Sequence, residues 1–323
     1  MNEKKERYLD ELCSGMEKLE LPAPIKKSGN TVNILALGDV GANLLMGLRL
    51  LGEDIISRIG IFDINENVAQ RFEKEVNQTG WPFSMHKLPE VECIQEEELF
   101  DCDMFVFCAS KAVPPLETSG DVRMMQLEAN GKIAEYYGKL AKEAGFKGIF
   151  AVVSDPVDPL CKKVLLSSGF NPAQVRGYGL GVMNKRAEYY ASKDERFSSY
   201  LTEGRAFGPH GNDLVIANSI ENYNQTISEE LTRLTVEANL RVRELGFKPY
   251  LAPSFSSGAI SLILTLSQEW CYSSVYFGKG DEGAFLGIKN RISGSRIEYE
   301  NLPLPQQLYD RIERAYKNLC ALV

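Results

Sequence analysis

Thr31 to Leu37 reads TVNILAL and runs on through Gly38-Asp39-Val40-Gly41 into a leucine-rich stretch that ends at Gly52. A short, mostly apolar run closed by glycine predicts a buried strand over 31–37. Gly41 to Leu51 predicts a helix, with Gly52 as its stop. Between the two, Ala36-Leu37-Gly38-Asp39-Val40-Gly41 has the spacing of G-x-G-x-x-G with alanine in first place. The middle glycine lets the backbone approach a pyrophosphate. The last lets helix and strand pack closely, and the helix N-terminus faces the anion. A tight strand–helix turn with no ligand would use the same residues, so the flanking sequence has to decide. Ile59 to Phe62 predicts a second strand, ending on Asp63, 22 residues after Gly41. A carboxylate there can accept from both ribose hydroxyls and repels a 2′-phosphate, which selects NAD over NADP. Without a dinucleotide, Asp63 is a turn or capping residue.

The pattern repeats along the chain. Val68 to Val76 reads as helix, Met104 to Cys108 (MFVFC) as strand, Val122 to Ala144 as helix and Gly148 to Val153 (GIFAVV) as strand. Helices alternate with strands that are continuously apolar, which predicts a parallel sheet covered on both faces. The second half has a different grammar. Helices are expected over 186–193, over 228–245 with Ser228 as N-cap, over 256–274, and from Pro305 onward. Short strands are expected at 214–217, 275–277, 284–288 and 295–299. Residues 1–30 read as an arm with a helical stripe (Tyr8, Leu9, Leu12, Met16, Leu19, Leu21) ended by Pro22 and Pro24, docked either on its own domain or on a neighbouring subunit. The expected class is α/β: an arm over 1–30, a Rossmann-type parallel-sheet domain over 31–181, and a mixed α+β catalytic domain over 182–323.

Lys+Arg total 36 against 44 Asp+Glu, for a net charge of −8. That balance argues against nucleic acid, which requires a basic face. Seven dispersed cysteines with no C-x-x-C argue against a disulfide framework or zinc site and fit reduced thiols. No metal is expected. The charged start has no apolar core of a leader, and no run approaches 18 apolar residues, so a cytoplasmic protein without a membrane span is expected.

There are two histidines. His86 lies in a loop-like WPFSMHKLP and reads as a surface residue. His210 lies in Gly208-Pro209-His210-Gly211-Asn212-Asp213, where glycines on either side allow close approach of a ligand. With this segment the chain resembles the L-lactate/malate dehydrogenase family over roughly residues 32–323. The resemblance rests on ALGDVG, IFDIN, VRMMQLEAN, SDPVDPL, GYGLGVMNKR and GPHGND, in that order.

The resemblance implies an NAD-dependent oxidoreductase that interconverts a small L-2-hydroxy acid and its 2-oxo acid, and a homo-oligomer, dimer or tetramer. It places the proton-transfer histidine at His210 and the arginine that holds the substrate carboxylate at Arg186. A planar fork of donors can bind that carboxylate at two points. It places the arginine that polarises the carbonyl at Arg123 and a pocket-lining hydroxyl at Ser256. Gly38, Asp39, Val40, Gly41, Asp63 and Ala109 fall on its cofactor-binding positions.

Three departures stand out. The family aspartate that hydrogen-bonds the catalytic histidine lies three residues before the carboxylate-binding arginine, and here that position is Met183, which cannot do this. The family asparagine before Pro-Val is Asp155, which would repel an anionic substrate unless it pairs with His210. Asp155 or Asp213 is therefore expected to stand in for the lost partner; a simple loop or capping aspartate is the plainer alternative for each. The loop between Ala109 and Arg123 is about four residues longer than the resemblance implies, and Lys111 within it could meet a second substrate carboxylate or simply be solvated. These departures leave two alternatives open: a reductase of a different oxo acid, or a dinucleotide-binding protein of this fold with little or no dehydrogenase activity.

Overall fold

The structure is a computed structural model that describes residues 6–14, 18–83, 86–111 and 122–323; the side chains of 122–124 are outside the description. In chain order the elements are β1 (Asn30–Leu35), α1 (Asp39–Leu51), β2 (Ile56–Phe62), α2 (Glu66–Asn77), β3 (Glu90–Cys93), β4 (Met104–Phe107), α3 (Val122–Glu143), β5 (Ile149–Val152), α4 (Val157–Ser168), β6 (Val175–Gly177), α5 (Leu180–Ala191), α6 (Tyr200–Glu203), β7 (Arg205–Phe207), β8 (Val215–Ala217), α7 (Gln225–Glu244), α8 (Ile260–Leu266), β9 (Cys271–Lys279), β10 (Glu282–Ser293), β11 (Arg296–Tyr299) and α9 (Gln306–Cys320). The first six strands pair in parallel in the order β3-β2-β1-β4-β5-β6. The strand order reverses beside β1, and such a switch point opens a crevice at the carboxyl ends of the strands.

The centre of this sheet follows from composition. β4 (MFVF) and β5 (IFAV) are buried at every position, as expected for strands covered on both faces. β3 (EVEC) at the edge buries only Val91, so its sequence carries no strand signal. β6, β7 and α4 also lie outside the sequence expectation. The first two are three residues long, and α4 is buried nearly all round, which erases its helical period.

The second half extends the same sheet. β9 joins β6 antiparallel at Gly177–Ser274 and continues through β10 to β11; β7 and β8 form a separate two-stranded ribbon. One hydrophobic core therefore runs from Val32 and Phe107 to Phe285 and Tyr309, and a smaller cluster lies around Leu180, Met183 and Ile216. The expected boundary at 181/182 falls in the first turn of α5.

Three sequence expectations need correction. The helix over 256–274 is instead a π-type turn over Pro253–Ala259, the short α8, and the start of β9. Ser267 caps α8, Gln268 takes a left-handed φ of +62°, and Cys271 to Lys279 are drawn into nine cross-strand pairs with β10. The N-cap of α7 is Asn224, which accepts from Ile227 N at 3.1 Å; Ser228 is buried inside the helix. The described part of the arm contains one short turn, Leu9–Leu12, rather than a helical stripe. It docks on its own chain: Arg7 bridges to Leu304, Glu20 bridges to Arg296, and Leu9, Leu19 and Leu21 join the core.

The strand-to-helix turn that opens the fold carries a local cost. Ala36 occupies the first glycine position with φ +73°, where a Cβ is disfavoured by roughly 1–2 kcal/mol. Ala36→Gly is expected to raise stability by about 0.5–1 kcal/mol after the greater freedom of unfolded glycine is subtracted. A shifted urea midpoint at unchanged slope would show it; a lower midpoint would mean the turn is not strained.

Candidate active site

The glycine-rich turn fits a dinucleotide. A Cβ at Gly38 would meet no atom within 4 Å, so the N-cap of α1 faces open space. A Cβ at Gly41 would overlap the Ala36 carbonyl oxygen, so this glycine sets the close packing of helix on strand. The first amides of α1, over Gly38, Asp39 and Val40, lack helical acceptors, as at any helix N-terminus, and so are available to an anion. Asp39 is half-exposed and pairs with Lys248 at 3.1 Å. Asp63 braces the turn: it accepts from Leu37 N at 2.8 Å and from Asn65 N at 3.0 Å. Ala109 follows β4, and its carbonyl accepts from Ser154 Oγ at 2.7 Å.

His210 is positioned by its glycines. Gly208 and Gly211 take φ of +93° and +135°, which only glycine adopts readily. The Gly208 amide donates to the Gly287 carbonyl of β10 at 2.9 Å, which pins the loop to the sheet. Across the loop, Gly179 makes room: a Cβ there would lie 2.9 Å from His210 Cβ and 3.1 Å from Val157 Cγ2. His210 Nδ1 lies 3.2 Å from Asp155 Oδ1. Of the two carboxylates expected as partners, it is Asp155 that reaches the imidazole; Asp213 instead accepts from Asn318 Nδ2 at 2.9 Å. The His210 side chain is 18% exposed and Asp155 is 56% exposed. His210 Nε2 is buried and has no hydrogen-bond partner among the described residues.

Met183 is buried, and its Sδ accepts from Arg186 Nη1 at 3.6 Å. Burial lowers the pKa of Arg186, while Tyr190 and Asp155 act in the opposite sense, so the guanidinium and Asp155 feel each other across the site. α5, which carries both residues, is anchored by Ser257: its hydroxyl donates to Gly179 O and accepts from Val182 N, each at 2.8 Å. Ser256 sits in the same π-type turn, its carbonyl packed where a Cβ on Gly181 would otherwise go. Arg123 lies in the first turn of α3, its side chain outside the described residues, as is the segment 112–121 of the long loop. Lys111 is exposed. His86 sits at the surface on Glu53, at 2.6 Å.

Two residues outside the sequence expectation belong to this region. Asn130 of α3 is buried; it donates to the Asp155 carbonyl at 2.7 Å and accepts from Lys111 N at 2.9 Å. It thereby ties the loop start to the Asp155 turn. Nothing short of tertiary contact distinguishes it from any other helix asparagine. The second is Asp158, in the first turn of α4 and fully enclosed. Burial pushes its carboxyl up to about 7, against the opposing effects of a hydrogen bond from Ser274 and the charge on His210. An acid whose folded pKa is raised costs no stability while protonated in both states and costs most once ionised in both. Stability is thus expected to fall as pH rises from about 4 to about 7 on account of this group, and Asp158→Asn to flatten that fall. Thermal unfolding of both proteins at pH 4 and pH 8 tests this, and equal differences at the two pH values would contradict it.

Among the described residues no group of three His, Cys, Asp or Glu side chains could hold a metal, and no helix is long and apolar enough to cross a membrane. Residues 30–177 match the family model of the lactate/malate dehydrogenase NAD binding domain. L-Lactate dehydrogenase of Mesomycoplasma hyopneumoniae strain 232 is 26% identical over 190 residues, covering 58% of this chain and 57% of that protein. The L-lactate dehydrogenase of Treponema denticola is 29% identical over 182 residues, covering 56% and 54%. The match thus spans little more than half the length of these curated relatives. The fold is shared over a greater length. The minor L-lactate dehydrogenase of Enterococcus mundtii superposes with TM-score 0.74 at 22% identity, over 92% of this chain and 98% of that one. Malate dehydrogenase of Picrophilus torridus gives 0.73 at 18% identity, over 91% and 96%. The first half of the chain is thus similar in sequence to the NAD binding domain of lactate/malate dehydrogenases, and the whole chain shares the fold of solved lactate and malate dehydrogenases.

Proposed function

We propose that this protein is an NAD-dependent oxidoreductase that interconverts a small L-2-hydroxy acid and its 2-oxo acid, with the cofactor on residues 31–181 and most substrate contacts from 182–323. The observation that carries this reading is the Asp155–His210 pair, 3.2 Å apart, beside Arg186. When bound, NAD supplies the hydride acceptor or donor. The amides of Gly38, Asp39 and Val40 would hold its pyrophosphate, Gly41 keeps the helix against the strand, Asp63 would take the ribose hydroxyls, and Ala109 would line the cofactor site. Arg186 binds the substrate carboxylate, Arg123 stabilises the charge that develops on the carbonyl oxygen, and Ser256 lines the pocket.

His210 is the acid/base group, the one side chain here whose ordinary pKa lies near neutrality. Its Nε2 is buried, so in this reading the proton passes between Nδ1 and the substrate oxygen by way of the Asp155 carboxylate. A carboxylate near an anionic substrate costs affinity, and the two arginines offset that repulsion.

A panel of 2-oxo acids (pyruvate, oxaloacetate, branched-chain and aromatic analogues) with NADH, followed at the nicotinamide absorbance, tests the reading. Turnover of at least one acid is expected, and the acid preferred separates a lactate or malate type from a reductase of another oxo acid. Buried Met183 favours a second reading, a dinucleotide-binding protein with little dehydrogenase activity. NADH binding with no turnover of any acid would select it. If Arg186 holds the carboxylate, Arg186→Lys is expected to raise KM by about tenfold to a hundredfold with a smaller change in kcat. An unchanged KM would remove Arg186 from the substrate site. The reading includes a cytoplasmic homo-oligomer, dimer or tetramer. Leu245, Phe247 and Leu251, exposed after α7, are candidates for its interface, and sedimentation of the wild type and of Phe247→Asp tests them.

A further inference from the structure

The imidazole of His210 has a carboxylate on one side and an unexplained vacancy of bonding on the other. Nδ1 meets Asp155 Oδ1 at 3.2 Å, whereas Nε2 is buried without a partner. Asp158, three residues beyond Asp155, presents a matching gap: it is 3% exposed, and its Oδ1 is likewise buried without a partner. Buried polar atoms left unpaired cost about 1–3 kcal/mol each, so two in one region are a paired problem. The segments that carry the two groups meet over Gly179. The charge on His210 acts on Asp158, and Val157, adjacent to Asp158, shares with His210 Cβ the space over Gly179. The other groups acting on Asp158 are Asp155 on its own turn and the hydroxyl of Ser274 on β9. Met183, on α5, brings no charge to this place.

Resting on the reading of His210 as the acid/base group, we propose that Asp158 is a second positioning residue for it: the Asp158 Oδ1 and His210 Nε2 are joined by one hydrogen-bonded connection, made directly by a small rotation or through a single buried water. Asp155 then holds the imidazole from the cleft and Asp158 from the interior. The interior carboxyl fixes the ring plane and favours the charged ring, so the work of a single orienting aspartate is divided between two carboxyls on one turn, Asp155 and Asp158. A buried carboxyl can do this because a water bridge needs only polar partners and room for one molecule.

The test reads the imidazole itself and needs no substrate. With two histidines, the two ring Cε1 proton signals are assigned by a single variant, His86→Gln. Asp158→Asn is expected to lower the His210 titration midpoint, because the share of Asp158 that ionises near neutrality favours the charged ring. Asp155→Asn is expected to move it in the same direction. Ser274→Ala, which removes the hydrogen bond that favours ionised Asp158, is expected to give a smaller shift of the same sign and guards against misfolding of the first variant. If Asp155→Asn moves the midpoint while Asp158→Asn and Ser274→Ala leave it in place, the connection does not exist. A shift in the expected direction upholds it whether or not any 2-oxo acid is turned over, so its fate is separable from that of the dehydrogenase reading.

Discussion

Asp155→Asn is expected to lower kcat/KM for reduction of the preferred 2-oxo acid by two to four orders of magnitude, in line with loss of positioned general acid–base catalysis. The asparagine keeps the shape and can still hydrogen-bond His210, but it neither carries a proton at neutral pH nor favours the imidazolium. The loss should appear mainly in kcat. The substrate KM should hold or improve, since a negative charge is removed from beside an anionic ligand. A companion experiment moves the carboxylate back: Met183→Asp combined with Asp155→Asn. Met183 Sδ lies 3.6 Å from Arg186 Nη1, so an aspartate there has a cation within reach on the same helix. The double variant is expected to recover at least tenfold over Asp155→Asn alone. Full activity in the single variant would show that Asp155 is a loop residue that merely happens to lie near the histidine.

The second large effect is expected at the glycine turn, where two substitutions should part ways. Gly41→Ala drives a Cβ into the Ala36 carbonyl oxygen and to within 3.4 Å of Cys108 Cβ. Backbone must shift, so a loss of about 1–3 kcal/mol in stability is expected. The opened turn should weaken NADH binding at least a hundredfold, about 2.7 kcal/mol. Gly38→Ala places its Cβ in open space. Its stability should stay within about 0.5 kcal/mol of the parent. Its affinity for NADH should nevertheless fall, because the methyl group enters the space a pyrophosphate needs. Fluorescence titration with NADH and urea unfolding of both proteins measure these quantities. Undiminished NADH binding by a folded Gly38→Ala protein would mean that the dinucleotide does not lie on this turn.

The sites of sequence success and failure follow physical lines. The parallel half was readable because β4 and β5 are buried on both faces and so are continuously apolar, β1 is buried at all but one position, and glycine closes the turns and helices between them. Edge strand β3 and the short β6 and β7 gave no such pattern, because their pairing comes from neighbours rather than from their own residues. The stretch 256–274 misled because a short apolar run suits a helix or a buried strand equally well, and the nine-pair ladder with β10 decided between them.

By itself the sequence determined the α/β class and the Ala36–Gly41 turn with Asp63 behind it, and it set His210, flanked by glycines, apart from His86 as the candidate. Each of these depends on local chemistry: the period of apolar residues, the backbone freedom of glycine, and the residue types a loop can hold. Only the tertiary structure decided which carboxyl meets the histidine. Asp155 and Asp213 were equal candidates in the chain, 55 residues before His210 and three after it. The fold brings the distant one to 3.2 Å and turns the near one away to Asn318. Burial likewise makes Asp158 an enclosed acid with a raised pKa that feels the charge on His210, since desolvation belongs to the folded surroundings and is not written in any one segment.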